Sequence, residues 1–177
     1  MSSIPYTAPP NFVTGAVLTE AQLDILSDDI SFLANPPHCR VYNSAAFSHT
    51  STGNNVAVTF DSERRDTDTM HSTATNTSRI TFTTAGFYAV GGHVEFAANA
   101  TGVRGIAIRL GGATYIAADN RLSTGGALGT QMSIATRYAF AAGDYVELMA
   151  YQSSGGNLNI NAAGNFSPEF WAEWEAL

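Results

Sequence analysis

The chain is predicted to be mainly β: one sandwich of short strands, preceded by a proline-rich arm and one short α-helix. Three observations predict it. The stretch Gly86-Phe-Tyr-Ala-Val-Gly-Gly-His-Val-Glu-Phe96 is an apolar run, rich in aromatic and β-branched residues and bounded by turn signals, which marks a central strand. From His38 onward, short alternating segments recur between glycine-rich turns. A helical period is carried by a single segment, Leu18 to Leu33.

Residues 1–17 read as the arm. Pro5, Pro9 and Pro10 keep it extended, and Ile4, Tyr6, Phe12 and Val13 are apolar with no periodic partners. Disordered tails are usually poor in such residues, so the expectation is an arm that docks on a partner.

Residues 18–37 hold the helix. Thr19 is placed to cap it, Gln22 completes a capping box, and Asn35-Pro-Pro37 stops it. Leu23, Leu26, Ile30 and Leu33 are spaced three, four, three, as in a coiled-coil seam; Ile25 and Phe32 form a second stripe. Two readings follow from the helix alone. It packs on its own domain, or it bundles with copies of itself.

Residues 38–177 read as strands. The expected ones are Arg40–Tyr42, Ala45–Phe47, Asn55–Phe60, Arg79–Phe82, Gly86–Phe96, Val103–Leu110, Thr114–Ile116, Gln131–Phe140, Tyr145–Tyr151, Leu158–Ile160 and Pro168–Trp174. The segment from Asp61 to Ser78 reads as a loop, and whether Phe87 or Phe96 faces the core depends on how Gly91-Gly92 adjusts the alternation.

Composition narrows the function. Of 177 residues, 45% are apolar and only 13% charged, a surface suited to extensive contacts. The net charge is −7 and all eight basic residues are arginine, so the chain offers no basic stripe for nucleic acid and no lysine nucleophile. Cys39 is alone, which rules out an intrachain disulfide. The first residues lack a basic region and an apolar run, and no stretch reaches the length of a membrane span, so the expectation is synthesis in a cytoplasm without membrane insertion.

Sequence signatures of catalysis are missing. There is no Gly-x-Ser-x-Gly elbow, no His-Glu-x-x-His and no phosphate-loop motif, and the expectation is a protein that is not an enzyme and needs no cofactor. His93-Val-Glu95 echoes a deaminase fragment but lacks its cysteines. His38 beside Cys39 recruits no further zinc ligands. Asp61, Glu63, Asp66 and Asp68 are candidate calcium ligands; Arg64 and Arg65 interrupt them, which favours a solvated, self-paired loop. Trp171 and Trp174 could stack on a sugar, but in a terminal strand core or interface packing is the better reading.

The order of motifs carries a resemblance. Asn55-Val-Ala-Val-Thr-Phe-Asp61 comes first, then Arg79-Ile-Thr-Phe82, Ala85-Gly-Phe-Tyr-Ala-Val90 and His93-Val-Glu-Phe96. Ile106-Ala-Ile-Arg-Leu-Gly-Gly112 follows, then Phe140-Ala-Ala-Gly-Asp-Tyr-Val-Glu-Leu148, Gln152-Ser-Ser-Gly-Gly156 and an aromatic last strand. From His38 to Leu177 this resembles the jelly roll of the complement globular head and tumour necrosis factor. Members are typically trimers, so the resemblance implies a homotrimer, with Leu23, Leu26, Ile30, Leu33, Phe170, Trp171 and Trp174 as expected interface residues. Some trimers of this family hold calcium. The front end, Gly15 to Pro37, is similar to the opening of small virion proteins of tailed phages. This implies a structural protein of the virion surface, made in a bacterial cytoplasm, as a capsid decoration or head fibre. Its arm residues Ile4, Tyr6, Phe12 and Val13 would anchor it to a major capsid or tail protein. The alternative is a tail-tip or tail-fibre module touching a host glycan or protein through loops at Asp61–Ser78, Asp119–Gly129 and Ser153–Gly156.

Overall fold

The computed structural model describes residues 7–8, 10–50, 52–125, 127–166 and 168–177. Helix α1 runs Glu20–Ala34. The strands are β1 His38–Tyr42, β2 Phe47–His49, β3 Asn55–Ala57, β4 Ser62–Asp66, β5 Arg79–Thr81 and β6 Gly86–Phe96. They continue with β7 Val103–Leu110, β8 Thr114–Leu122, β9 Thr130–Phe140, β10 Tyr145–Gln152, β11 Leu158–Ile160 and β12 Glu169–Ala176.

Two antiparallel sheets face each other. In the larger, β6 carries β9 along its whole length on one edge. The other edge is shared in tandem by β12 and β11, and the sheet then extends from β12 through β1 to β4. The smaller sheet runs β3–β10–β7–β8, with β5 also on β10. This is the mainly-β jelly-roll sandwich with one N-terminal helix that the sequence leads one to expect.

Strand β6 passes through Gly91-Gly92 without losing its alternation. Tyr88, Val90, Val94 and Phe96 all face inward and are buried, while Phe87 is 38% exposed on the outer face. Between the sheets, Phe82 stacks on Phe140 with centroids 3.8 Å apart, Tyr88 meets Phe82 edge-on, and Phe60 stacks on Phe170. Ile106, Ile108, Val146 and Leu148 close the core from the smaller sheet.

Three expectations need correction. Ser62–Asp66, expected as part of a loop, is an edge strand pairing with β1; strand formation here needs only backbone hydrogen bonds, so an apolar face is not required. Strand β8 extends six residues beyond the expected Ile116, to Leu122, paired residue by residue with β7. Phe170, an expected interface residue, is fully buried inside a single chain, because the even positions of β12 face the core.

The helix begins with the expected capping box, Gln22 N–H donating to Thr19 Oγ1 and Thr19 N–H to Gln22 Oε1. At its far end Asn35 Oδ1 accepts from Arg65 of β4 at 2.6 Å, which ties the helix terminus to the larger sheet.

Candidate self-association surface

The two helix stripes have different fates. At 100° per residue, the stripe through Ile25, Asp29 and Phe32 is turned roughly 110° from the stripe through Leu23, Leu26, Ile30 and Leu33, so the two are distinct adjoining faces. The first faces the sandwich: Phe32 is 1% exposed and stands edge-on to Trp174, centroids 4.9 Å apart. The second is left open. Leu23, Ile30 and Leu33 are 50%, 67% and 62% exposed, and Leu26 is half-buried.

The outer face of the larger sheet continues this open ground. Residues directly opposite in an antiparallel ladder share a face. Three such rows cross the middle of the sheet: Ser133–His93–Glu169, Ala135–Gly91–Trp171–Arg40, and Arg137–Ala89–Glu173–His38. The Trp171 indole lies across Gly91, where a Cβ would sit 2.5 Å from the ring and 2.8 Å from the Ile134 carbonyl, so only glycine admits it. Shallow recesses flank the indole. One of about 360 Å³ is lined by His38, Arg40, His93 and Glu173, another of about 260 Å³ by Ala89, Ala135 and Arg137.

One carboxylate on this face is clamped within the chain. Glu169 is 1% exposed and held by two arginines: Arg40 Nε donates to Oε2 at 2.7 Å and Arg64 Nε to Oε1 at 2.5 Å. The smaller sheet repeats the device, with buried Glu147 accepting from Arg109 Nη2 at 2.7 Å and from Ser78 Oγ at 2.8 Å, and with Arg79 nearby. Such a clamp turns a costly buried carboxylate into a fixed cross-strand tie. Sequence reading did not find either clamp. Their partners lie 129, 105 and 38 residues apart, and no local spacing signals them.

The other expected site residues are distributed as follows. Trp171 is on the open face, but Trp174 packs inward against Phe32, and Phe170 is in the core. Ile4 and Tyr6 lie outside the described residues. Phe12 and Val13 are exposed, and Thr7 N–H donates to Asp29 Oδ1 of the helix at 3.0 Å, so the described part of the arm touches its own chain.

The four acidic residues do not converge. Asp61 accepts from Ser44 N–H and Oγ at 2.9 and 2.7 Å. Burial alone would raise its carboxyl, but these bonds outweigh that and hold it below its ordinary value. Glu63 faces His71 Nδ1 at 3.0 Å, and Asp66 accepts the backbone N–H groups of Asp68, Met70 and His71. Asp61 and Glu63 are exposed and Glu63 and Asp66 pair within the segment, as expected of a solvated, self-paired loop, but Asp68 is 3% exposed and accepts the hydroxyls of Thr83 and Thr84. Among the described residues no group of three or more His, Cys, Asp or Glu side chains could hold a metal ion. His38 and Cys39 point to opposite faces of β1, and burial, with the Asp66 and Glu63 charges, pushes the Cys39 thiol far up. Among the described residues no helix is long and apolar enough to cross a membrane.

Solved structures share this architecture. The globular domain of zebrafish complement 1qA superposes with a TM-score of 0.57 at 12% identity, covering 78% of this chain and 96% of that one. Eiger TNF from S. frugiperda gives 0.56 at 10% identity, over 80% and 95%. Murine APRIL gives 0.60 at 10% identity, over 77% and 98%. The fold is therefore the complement/tumour necrosis factor jelly roll. No protein-family model matches the chain, and no curated protein sequence matches it.

Proposed function

We propose that the chain is a homotrimeric, non-enzymatic structural protein of a phage particle surface, a capsid decoration or head fibre held by its N-terminal arm. The observation that carries the trimer is the helix's open seam. Leu23, Ile30 and Leu33 stay largely exposed while the adjoining stripe is already used against the chain's own sandwich. Copies of the same helix packed about a common axis would cover the seam. The outer face of the larger sheet around Trp171 and Gly91, with Ala89 and Ala135, offers further contact area on the same molecule. Placement on a phage particle rests on the similarity of Gly15–Pro37 to virion proteins and on the exposed apolar arm residues Phe12 and Val13.

Light scattering on the full chain tests the assembly. The expected mass is three chains, falling to one in the double variant Leu23→Ser/Ile30→Ser with the β circular dichroism unchanged. A single-chain mass for the unsubstituted protein overturns the reading. Attachment is tested by competition between the full chain and a form lacking residues 2–16 for bare particles: the shortened form is expected to lose. Labelling intact particles then separates a head location from a tail tip contacting the host.

A further inference from the structure

The outer face of the smaller sheet bears a recess unlike any on the larger. One row of paired residues crosses four strands there: Asn55 on β3, Tyr151 on β10, Gly105 on β7 and Asn120 on β8. The next row is Ala57, Met149, Ala107 and Ala118. Beyond it, past a bulge at Ile108/Arg109, stands Tyr115 opposite Arg109. Ala107 and Ala118 thus floor a hollow of about 240 Å³ between Tyr151, Asn55 and Asn120 on one side and Tyr115 on the other.

Gly105 shapes it. A Cβ there would fall 2.3 Å from Asn120 Oδ1 and 3.1 Å from Tyr151 Cβ, so the bare backbone lets the Asn120 amide lie over β7 beside the tyrosine. None of the side chains of Asn55, Tyr115, Asn120 and Tyr151 hydrogen-bonds another described residue. Two amides and two phenols therefore converge with their donors and acceptors unspent among those residues. On this face Glu147 is already paired with Arg109, while Asp119 and Arg121, paired with each other at 2.5 Å, alternate to the other face of β8.

We propose that this recess is a binding site for a neutral saccharide. Sugar hydroxyls both donate and accept, as amides and phenols do, and the C–H faces of a pyranose ring pack against tyrosine rings. With nearby charges compensated, nothing in the recess selects an ionised ligand. The site lies on the sheet opposite to the one that carries the proposed contact face, and the argument for it does not depend on that assembly.

Saturation-transfer NMR on the full chain tests it, with methyl glucoside, methyl galactoside, methyl mannoside and N-acetylglucosamine as probes and sialic acid as the charged comparison. Transfer to at least one neutral probe is expected. Affinity should fall at least tenfold in Tyr115→Ala and in Asn120→Ala, and stay unchanged in Ser72→Ala, a loop variant outside the recess. Tyr115 is 47% exposed, so its loss should leave the melting curve in place, and the curve is recorded for each variant. The proposal is overturned if no neutral probe shows transfer, if sialic acid binds as strongly, or if both recess variants retain full binding.

Discussion

Phe32 of the helix stands at 87° to Trp174 of the last strand, with ring centroids 4.9 Å apart. This contact, together with the Asn35–Arg65 hydrogen bond, fastens the helix to the sandwich, joining residues 142 positions apart in the chain. Phe32→Ala should cost about 3–4 kcal/mol and shift tryptophan emission to the red as water reaches the indole. Asp24→Ala, on an exposed part of the same helix, should change stability by less than about 0.5 kcal/mol. A red shift without loss of stability would mean the helix contributes nothing to the fold.

Phe96→Ala and Phe87→Ala should separate sharply, although both rings belong to β6. Phe96 is fully buried, and its loss should cost about 3–5 kcal/mol. Phe87 lies on the outer face and should cost no more than about 1 kcal/mol in the isolated chain. Urea midpoints at constant slope provide the comparison.

The Ser44–Asp61 bonds predict a pH dependence. A carboxyl whose folded value is depressed stabilises the fold above its unfolded value and loses that contribution as pH falls through the folded value. Asp61→Asn should therefore melt slightly below the unsubstituted protein at pH 7. The difference should begin to shrink below the ordinary carboxyl value of 3.8 and vanish at still lower pH. A difference that grows on acidification would assign the wrong sign to these bonds.

Chelation should leave the melting temperature unchanged, since Asp61, Glu63, Asp66 and Asp68 each already accept from different protein donors. A fall on adding EDTA, restored by calcium and absent in Asp66→Asn, would show a metal bound there.

How much of this was legible in the sequence depended on where the information lay. Strand β6 could be bounded from its residues because an apolar run meets turn signals at both ends. The capping box was equally local. In the last strand, by contrast, apolar residues occupy both faces, so alternation alone did not say whether Phe170 or Trp171 pointed inward. The core side was decided by Phe60 across the sandwich, far away in the chain. The helix offered two stripes and no means of ranking them until Trp174 took one. The tyrosine and asparagine recess was invisible for the same reason, its walls coming from four strands brought side by side.

Strand β4 has one further consequence. It is the outermost strand of its path in the larger sheet, and its sequence Ser62-Glu-Arg-Arg-Asp66 places charge along a ladder edge that would otherwise template another strand. An unprotected ladder edge invites edge-to-edge pairing with further copies at high local concentration. The same charges that hid this strand from a hydropathy reading therefore disfavour edge-to-edge pairing through it.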